Sequence, residues 1–254
     1  MDRLIFTAMA SLKQLNNMKL KNANALANAS TIGFKQTYQF ATQSSKVEGA
    51  GYGSRYVPMN RSNDELVIKQ GPLISTGRKL DIYMKNGTVL GVQAPNGQIA
   101  FTRRGDLTVD QGGFISTANG RMVLDDGGAP ITAPVGVELA ITADGTVTAT
   151  DPAQPDAPPA QVGVLMLRDS DGTRMVRRDD GLYEPMVAKG QGGDFESGAT
   201  PPAVQPGALE GSSINVAESL VQFMDMSRSF EIKIKMITEM KELDDSGTSM
   251  MRFV

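Results

Sequence analysis

Residues 215–245 read NVAESLVQFMDMSRSFEIKIKMITEMKELDD, a stretch without glycine or proline. Apolar residues recur in it at spacings of three and four, which marks one face of an α-helix. These residues are Val216, Leu220, Phe223, Phe230, Ile234 and Ile237. Asn215 and Glu218 fit a capping box at the start, and Gly247 fits a C-terminal cap. The stretch predicts a helix of roughly 45 Å at 1.5 Å per residue.

A second apolar row lies on another face of the same helix, with Arg228 interrupting its four-residue step. It consists of Val221, Met224, Ile232, Met236 and Met240. One row can pack on a second helix of the chain, and the other then needs a further partner. The alternative is a helix buried at the centre of an ordinary domain, around which a β-rich domain would have to wrap.

The N-terminal segment 1–32 also lacks glycine and proline, and it shows the same helical spacing. Its apolar positions are Leu4, Ile5, Ala8, Leu12, Leu15, Ala23 and Leu26. Lys19 and Asn22 stand where a heptad pattern would want apolar groups, and Gly33 suits the end of the helix. Residues 1–40 hold five basic residues against one acidic, whereas residues 206–254 hold eight acidic against five basic. Opposite charge favours pairing of the two ends.

The middle of the chain is rich in turns. All 13 prolines, and every glycine except Gly33 and Gly247, lie between residues 49 and 211. Seven Asn-Gly or Asp-Gly pairs, the first at Asn86 and the last at Asp180, suit tight turns between short strands. Such hairpins are typical of a sandwich or an irregular barrel. Segments 41–63, 151–161 and 189–207 look like linkers.

These patterns predict an α+β multi-domain protein. Its discontinuous helical domain comes from the two termini, with long α-helices packed as a coiled coil, and a β-rich domain lies between them in sequence. We expect the N-terminal helix in 1–35, an extended linker or β connector in 36–75, the β-rich outer domain in 76–200 and the C-terminal helix in 206–254.

The composition excludes much chemistry. The chain has no cysteine and no histidine, and its net charge is −3 with a pI near 5.1. Thiolate catalysis and the commonest general base are therefore missing, and no basic field points to nucleic acid. The carboxylate pairs Asp125-Asp126 and Asp179-Asp180 precede glycine, where Asp is a turn former. We expect no catalytic, cofactor-binding or metal site.

The chain also shows no apolar run long enough to span a bilayer, and residues 1–13 lack the apolar core of a signal peptide. Two expectations follow from this pattern. The protein is cytosolic, or it is exported by a route that uses no cleaved signal.

Two terminal motifs resemble one known family. The stretch NALANASTIGFK at residues 24–35 is similar to the N-terminal signature of flagellar rod and hook proteins, with Ile32 replacing the usual proline. The stretch GALEGSSINV at residues 207–216, followed by RSFE at 228–231 and KMI at 235–237, resembles the matching C-terminal motif. The motif positions are Asn24, Leu26, Ala27, Asn28, Gly33, Phe34, Lys35, Leu209, Glu210, Arg228 and Glu231.

The body carries weaker landmarks of the same family. Leu80-Asp81, FTRRG at residues 101–105 and DGTV at residues 144–147 all fit it. The opening residues 1–9 and the length are most similar to proximal-rod members, with distal-rod members as the alternative. The segment Asn86–Leu90 departs from the aromatic run usual in the family.

The resemblance implies a structural subunit of the flagellar basal-body rod, which polymerises through its terminal helices into a hollow, torque-transmitting shaft. It implies export by the flagellar type III apparatus without a cleaved signal, assembly in the periplasmic space, and partners among its own copies and neighbouring rod proteins. No small-molecule substrate or nucleic acid is expected. We predict subunit packing through Ile5, Leu12, Leu15, Leu26, Leu220, Phe223, Met224, Phe230, Ile234 and Ile237.

A function of another class, that of a binding protein, stays open at this point. The β-rich domain could be a soluble binding module, and the helices would then serve as a coiled-coil oligomeriser.

Overall fold

The computed structural model describes residues 2–39, 43–47, 55–59, 64–66, 68–134, 136–154, 157–186 and 193–251. Within these ranges, the side chains of 2–6, 38–65 and 251 lie outside the described part. The chain divides into two compact units. The helical unit comprises Met1–Ala27, Gln39–Asn63 and Asn215–Val254, and the β body comprises Asn28–Tyr38 and Asp64–Ile214.

The helical unit contains two helices in its described residues, α1 at Asp2–Ala27 and α2 at Val216–Met251. At 36 residues, α2 is about 54 Å long. The Glu218 backbone N–H donates to Asn215 Oδ1 at 3.3 Å, which confirms Asn215 as the N-cap. The predicted end at Gly247 is wrong, because the helix runs through that residue to Met251.

The strands of the chain are short. They are β1 Thr37–Gln39, β2 Gln43–Val47, β3 Arg55–Met59, β4 Asp64–Leu66, β5 Leu73–Ser75, β6 Ile82–Met84, β7 Thr88–Gln93, β8 Ile99–Thr102, β9 Leu107–Val109, β10 Ile115–Thr117, β11 Glu138–Ile141, β12 Thr146–Thr150, β13 Ala160–Val164, β14 Leu167–Asp169, β15 Met175–Arg177, β16 Tyr183–Pro185, β17 Val204–Pro206 and β18 Ala208–Glu210.

The largest sheet has seven strands in the order β1-β4-β15-β16-β8-β7-β14, and a second sheet has the order β11-β12-β13. β2 and β3 pair antiparallel within the segment predicted as a connector. The last two strands before α2 pair far back along the chain, β17 with β6 and β18 with β5. The domain boundaries that the sequence suggested, at 1–35, 36–75, 76–200 and 206–254, stay a prediction.

The core of the β body lies on both faces of β7. Leu90 and Val92 point into one apolar cluster with Leu107 and Ile115, whereas Val89 points into another with Phe101. Side chains alternate across a strand, so two buried faces explain the continuous apolar run at this strand. Asn86 takes a φ of 48°, as expected of an Asn-Gly turn before β7.

The predicted coiled coil is wrong. A coiled coil buries large apolar side chains from both helices along one seam. Among the described residues of α1 and α2, the buried ones are Asn22, Ala25 and Ser219, which are small or polar. The helices meet through Asn22 Nδ2, which donates to the Ser219 carbonyl at 2.8 Å, and through Lys19, whose Nζ lies 5.0 Å from the Phe223 ring centroid. Polar groups occupy the positions where a coiled-coil seam would need large apolar side chains. The other parts of the prediction, two terminal helices and a β-rich middle, agree with the structure.

Within the described part of the chain, neither helix is apolar enough over sufficient length to cross a bilayer.

Candidate functional site: the junction of the two terminal motifs

The segments that carry the two terminal motifs run side by side within the β body. The Gly33 backbone N–H donates to the Glu210 carbonyl at 2.7 Å, and the Ser213 N–H donates to the Phe34 carbonyl at 3.2 Å. The first segment follows α1, and the second precedes α2. The two motifs therefore form one structural element, although 175 positions separate Lys35 from Glu210.

The carboxylate of Glu210 lies between two cations at this junction. Lys35 Nζ is 2.6 Å from Glu210 Oε1, and Arg103 Nε is 2.6 Å from Glu210 Oε2. All three side chains have 0% exposure. Arg103 belongs to the landmark FTRRG of the body, so this ion triad joins three separate parts of the sequence.

The remaining polar atoms of the triad also have partners. Glu210 Oε1 accepts from the Gly71 backbone N–H at 2.7 Å, and Lys35 Nζ donates to the Lys69 carbonyl at 2.7 Å. Arg103 donates through Nη1 to the Asn86 carbonyl at 2.5 Å and through Nη2 to the Met84 carbonyl at 2.6 Å. Buried ions need such hydrogen bonds to offset their desolvation. The triad thus depends on the backbone of the surrounding body.

Burial shifts the pKa of two groups at this site, Lys35 and Tyr183. Desolvation lowers the pKa of Lys35 to about 8; the carboxylate of Glu210 opposes this shift, and Arg103 adds to it. Burial also raises the pKa of the Tyr183 hydroxyl to about 12. That hydroxyl donates to the Gly33 carbonyl at 3.1 Å, so a neutral phenol holds the first motif in place.

Gly33 is required by its surroundings. Its φ is +69°, a conformation that costs other residues energy. A Cβ at this position would lie 2.3 Å from the Arg103 carbonyl oxygen. The next residue, Phe34, is buried, and the Arg177 guanidinium stacks 4.5 Å from its ring centroid. In the motif Gly-Phe-Lys, the glycine therefore allows close approach to the Arg103 backbone, the phenylalanine packs as a buried aromatic side chain, and the lysine supplies a buried cation.

The predicted packing residues divide by exposure. Leu12, Leu15 and Leu26 of α1 are half-buried. Those of α2 fall into two groups: half-buried Phe223, Phe230 and Ile237, and exposed Leu220, Met224 and Ile234. Ile5 belongs to α1, but its side chain lies outside the described residues. Their role in packing between subunits stays a prediction.

The predicted motif residues also divide. Those buried at the junction are Gly33, Phe34, Lys35, Leu209 and Glu210. Asn24 and Ala27 are exposed near the end of α1, Leu26 and Asn28 are half-buried, and Arg228 and Glu231 are exposed on α2. The structure brings the first group together at the junction, whereas Arg228 and Glu231 belong to the helical unit.

Sequence reasoning missed two members of this site, Arg103 and Tyr183. Arg103 lies in a recognised landmark, but its role depends on Glu210, 107 positions away. An arginine directly after the apolar strand β8, together with a glutamate in the C-terminal motif, is the signal that could have suggested the pair.

Two family descriptions match separate parts of the chain. The description "Flagellar hook protein FlgE/F/G D1 domain" matches residues 86–149, and "Flagellar basal body rod FlgEFG protein C-terminal" matches residues 205–250. The second match covers Glu210 and α2 up to Met250, and the first covers Arg103.

Relatives match almost the whole chain. The flagellar basal-body rod protein FlgF of Salmonella typhimurium is 35% identical over 95% of both chains, and that of Escherichia coli is 33% identical over the same share. FlgG of Buchnera aphidicola from Schizaphis graminum is 29% identical over 85% of this chain and 86% of its own. The chain belongs to the flagellar basal-body rod protein family. It is a structural subunit of the rod with greater similarity to these FlgF proteins than to that FlgG, a result that favours the rod over a β-domain binding module.

Proposed function

We propose that this protein is a proximal-rod subunit that polymerises through its terminal helices into a hollow shaft that transmits motor torque. One observation carries the proposal: α2 exposes large apolar side chains on the face away from its contact with α1. We name Val221, Met224, Ile232 and Met236 the outer row of α2. Their exposures are 58%, 62%, 57% and 44%.

An exposed apolar row is unfavourable in an isolated protein, and it typically marks a binding surface. Membership of the rod family gives that surface a partner, namely another rod subunit. Methionine supports this assignment, because its flexible thioether adapts to neighbours of different shape. The outer row therefore packs against adjacent copies or neighbouring rod proteins.

The ion triad has a mechanical part in this proposal. It joins the segment that follows α1 to the segment that precedes α2, and both segments are anchored on β-strands of the body. Mechanical load on one helix is then carried by both segments that connect the helices to the β body, and not by one segment alone. A buried charge-assisted bond resists separation better than a solvated pair, because separation exposes an unpaired ion to an apolar interior.

Family membership supports the remaining parts of the proposal. The partners are copies of this chain, other proximal-rod subunits and the distal rod protein. The flagellar type III export apparatus delivers the chain without a cleaved signal, and assembly takes place in the periplasmic space. The protein performs no catalysis and binds no nucleic acid, cofactor or small-molecule substrate.

A substitution in the outer row tests the assembly role. Met224→Asp places a charge where an apolar contact between subunits is proposed, so we expect loss of swimming while the subunit is still made and its β body still folds. Thr248→Asp is the matched control, because Thr248 is an exposed polar residue on the side of the same helix opposite the outer row. It should leave swimming intact. Normal motility of the Met224→Asp strain would contradict the assembly role.

The position of the subunit in isolated basal bodies tests the proximal assignment. A tag on the exposed turn at Asn96 should be found beneath the distal rod segment. A tag distributed along the distal segment would instead favour a FlgG-like role.

A further inference from the structure

A cavity of about 190 Å³ opens in the β body beside the junction. One side is the turn at residues 28–34 that carries the first motif. The rest of the lining includes three arginines, Arg104, Arg121 and Arg177. Its lining residues all belong to the β body, so the cavity is a property of that unit alone.

The cavity has an excess of positive charge. Arg104 is neutralised by Asp106, which accepts from Nε and Nη2 at 2.7 Å each. Asp180 is the one carboxylate in the lining, and Arg178 holds it at 3.2 Å. Among the described residues, Arg121 and Arg177 have no carboxylate partner. The lining therefore contains two arginines without a carboxylate partner, of which Arg177 stacks on the Phe34 ring and Arg121 has no such contact in the described part of the chain.

The surroundings strengthen these charges. Thr102, Thr117 and Tyr183 line the same cavity and are buried, so part of its wall has a low dielectric constant. A concave site with such walls concentrates the field of its charges. Guanidinium groups match the planar, two-oxygen geometry of a carboxylate. A cavity of this size and charge therefore suits acidic side chains.

The chain itself has an acidic segment of the required kind. Near the end of α2 lie Glu242, Asp244 and Asp245, which are exposed and have no ion pair within the described part of the chain. We propose that the arginine cavity of one subunit binds this acidic segment of α2 from a second copy. The inference rests on the proposed function, because it assigns a second contact between rod subunits, polar in kind and separate from the outer row.

A peptide titration tests this contact without requiring assembly. The probe is residues 238–248 with blocked ends, added to the isotope-labelled full chain and followed by nuclear magnetic resonance. We expect saturable shifts of the Thr117, Asn119 and Arg121 amide signals, which disappear at about 0.5 M salt. Arg121→Gln should weaken binding about fivefold or more, since it removes one unpaired charge. Lys85→Gln, which removes an exposed cation of the same body outside the cavity, should change nothing.

Several results would overturn the proposal. One is the absence of binding at millimolar peptide. A second is equal affinity for the original peptide and for a peptide that carries Glu242→Gln, Asp244→Asn and Asp245→Asn together. A third is unchanged affinity of the peptide for the Arg121→Gln protein. Inorganic phosphate that binds as tightly as the peptide would show a simple anion site, which also contradicts it. An unchanged spectrum of the Arg121→Gln variant away from the cavity checks its fold.

A charge exchange provides the second test in the assembled rod. Arg121→Glu should reduce swimming, and the addition of Asp244→Lys and Asp245→Lys should restore it. Failure of the exchange together with loss of swimming in Met224→Asp would reject the cavity contact alone. Normal swimming in Met224→Asp would reject the assembly role itself.

Discussion

The β body and the helical unit bury their apolar residues very differently. In the body, Phe101, Leu107 and Ile115 have no exposed surface, and strands cover them from several directions. In the helical unit, the buried described residues of the two helices are small or polar, while Leu243 and Met250 of α2 are 62% and 74% exposed. The body has a complete core of its own, whereas the helices present apolar surface that one subunit does not cover.

The same contrast holds for polar contacts. The body buries the ion triad completely and satisfies it with backbone groups. Between the helices, Asn22 Oδ1 is buried with no hydrogen-bond partner in the described residues. Asp81 Oδ1 of the body also lacks a hydrogen bond there, but Arg78 Nη1 lies 3.4 Å from it. Burial of a polar group without a partner costs free energy. The helix pair is therefore the less stable region, as expected of a part that becomes fixed on assembly.

The largest expected effect is loss of the shared carboxylate of the triad. Glu210→Ala leaves Lys35 and Arg103 buried without a counter-charge, so the free energy of unfolding of the body should fall by about 3–5 kcal/mol. Urea unfolding followed by tyrosine fluorescence, to which the buried Tyr83 and Tyr183 contribute, measures it. The control is Glu138→Ala, whose pair with Lys79 is exposed and should contribute about 0.5 kcal/mol or less. Similar losses in the two variants would contradict the structural role of the triad.

Two leucine truncations test the contrast in burial directly. Leu107→Ala removes a fully buried side chain and should cost the body about 3 kcal/mol. Leu243→Ala removes an exposed one and should leave the unfolding of the isolated subunit unchanged. Urea unfolding of the purified subunits compares the pair. If Leu243→Ala destabilised the isolated subunit as much, α2 would already be packed there.

A glycine pair tests the close approach at the junction. Gly33→Ala combines an unfavourable φ with a clash against the Arg103 carbonyl, so we expect a loss of about 2 kcal/mol or more. Gly97→Ala has a similar φ of +79° in open space and should cost only about 1 kcal/mol. The difference in thermal midpoint between these variants isolates the clash. Equal midpoints would mean that the junction relaxes without cost.

The smallest expected effect is a pH dependence. The pKa of Lys35 is lowered to about 8 from 10.5, so between these values the unfolded chain holds a proton that the folded chain has released. Stability therefore rises with pH in this window, and the cost of the buried charge is fully present below pH 8. From pH 7 to pH 9 the wild type should gain about 1 kcal/mol relative to Lys35→Met. A constant difference between the two proteins would exclude this titration.

The local features of the fold were predictable from the sequence. Glycine and proline mark the boundary between the helical ends and the β-rich middle, because both residues disfavour a helix interior. Asn215 was predicted as a cap because its side chain can accept from the first free backbone N–H groups. The turn at Asn96-Gly97 follows from the positive φ that glycine tolerates. Each of these depends on neighbours within a few residues.

The long-range features were not predictable in the same way. Periodicity located the apolar faces of α1 and α2, but it did not show whether they face each other, and the coiled coil inferred from them was wrong. Lys19 and Asn22 carried the contrary signal, since they interrupt the heptad where the helices meet. The ion triad depends on Lys35, Arg103 and Glu210 from segments that are distant in the sequence, and no local pattern specifies how those segments meet.

Hydrogen exchange of the purified full chain, measured peptide by peptide, tests the central contrast most directly. We expect slow exchange in the strands of the β body, at residues 82–93 and 99–109, and exchange faster by orders of magnitude in α2. After incorporation into rods, residues 220–245 should become as protected as the body. Slow exchange of α2 in the isolated subunit, equal to that of the body, would contradict the account.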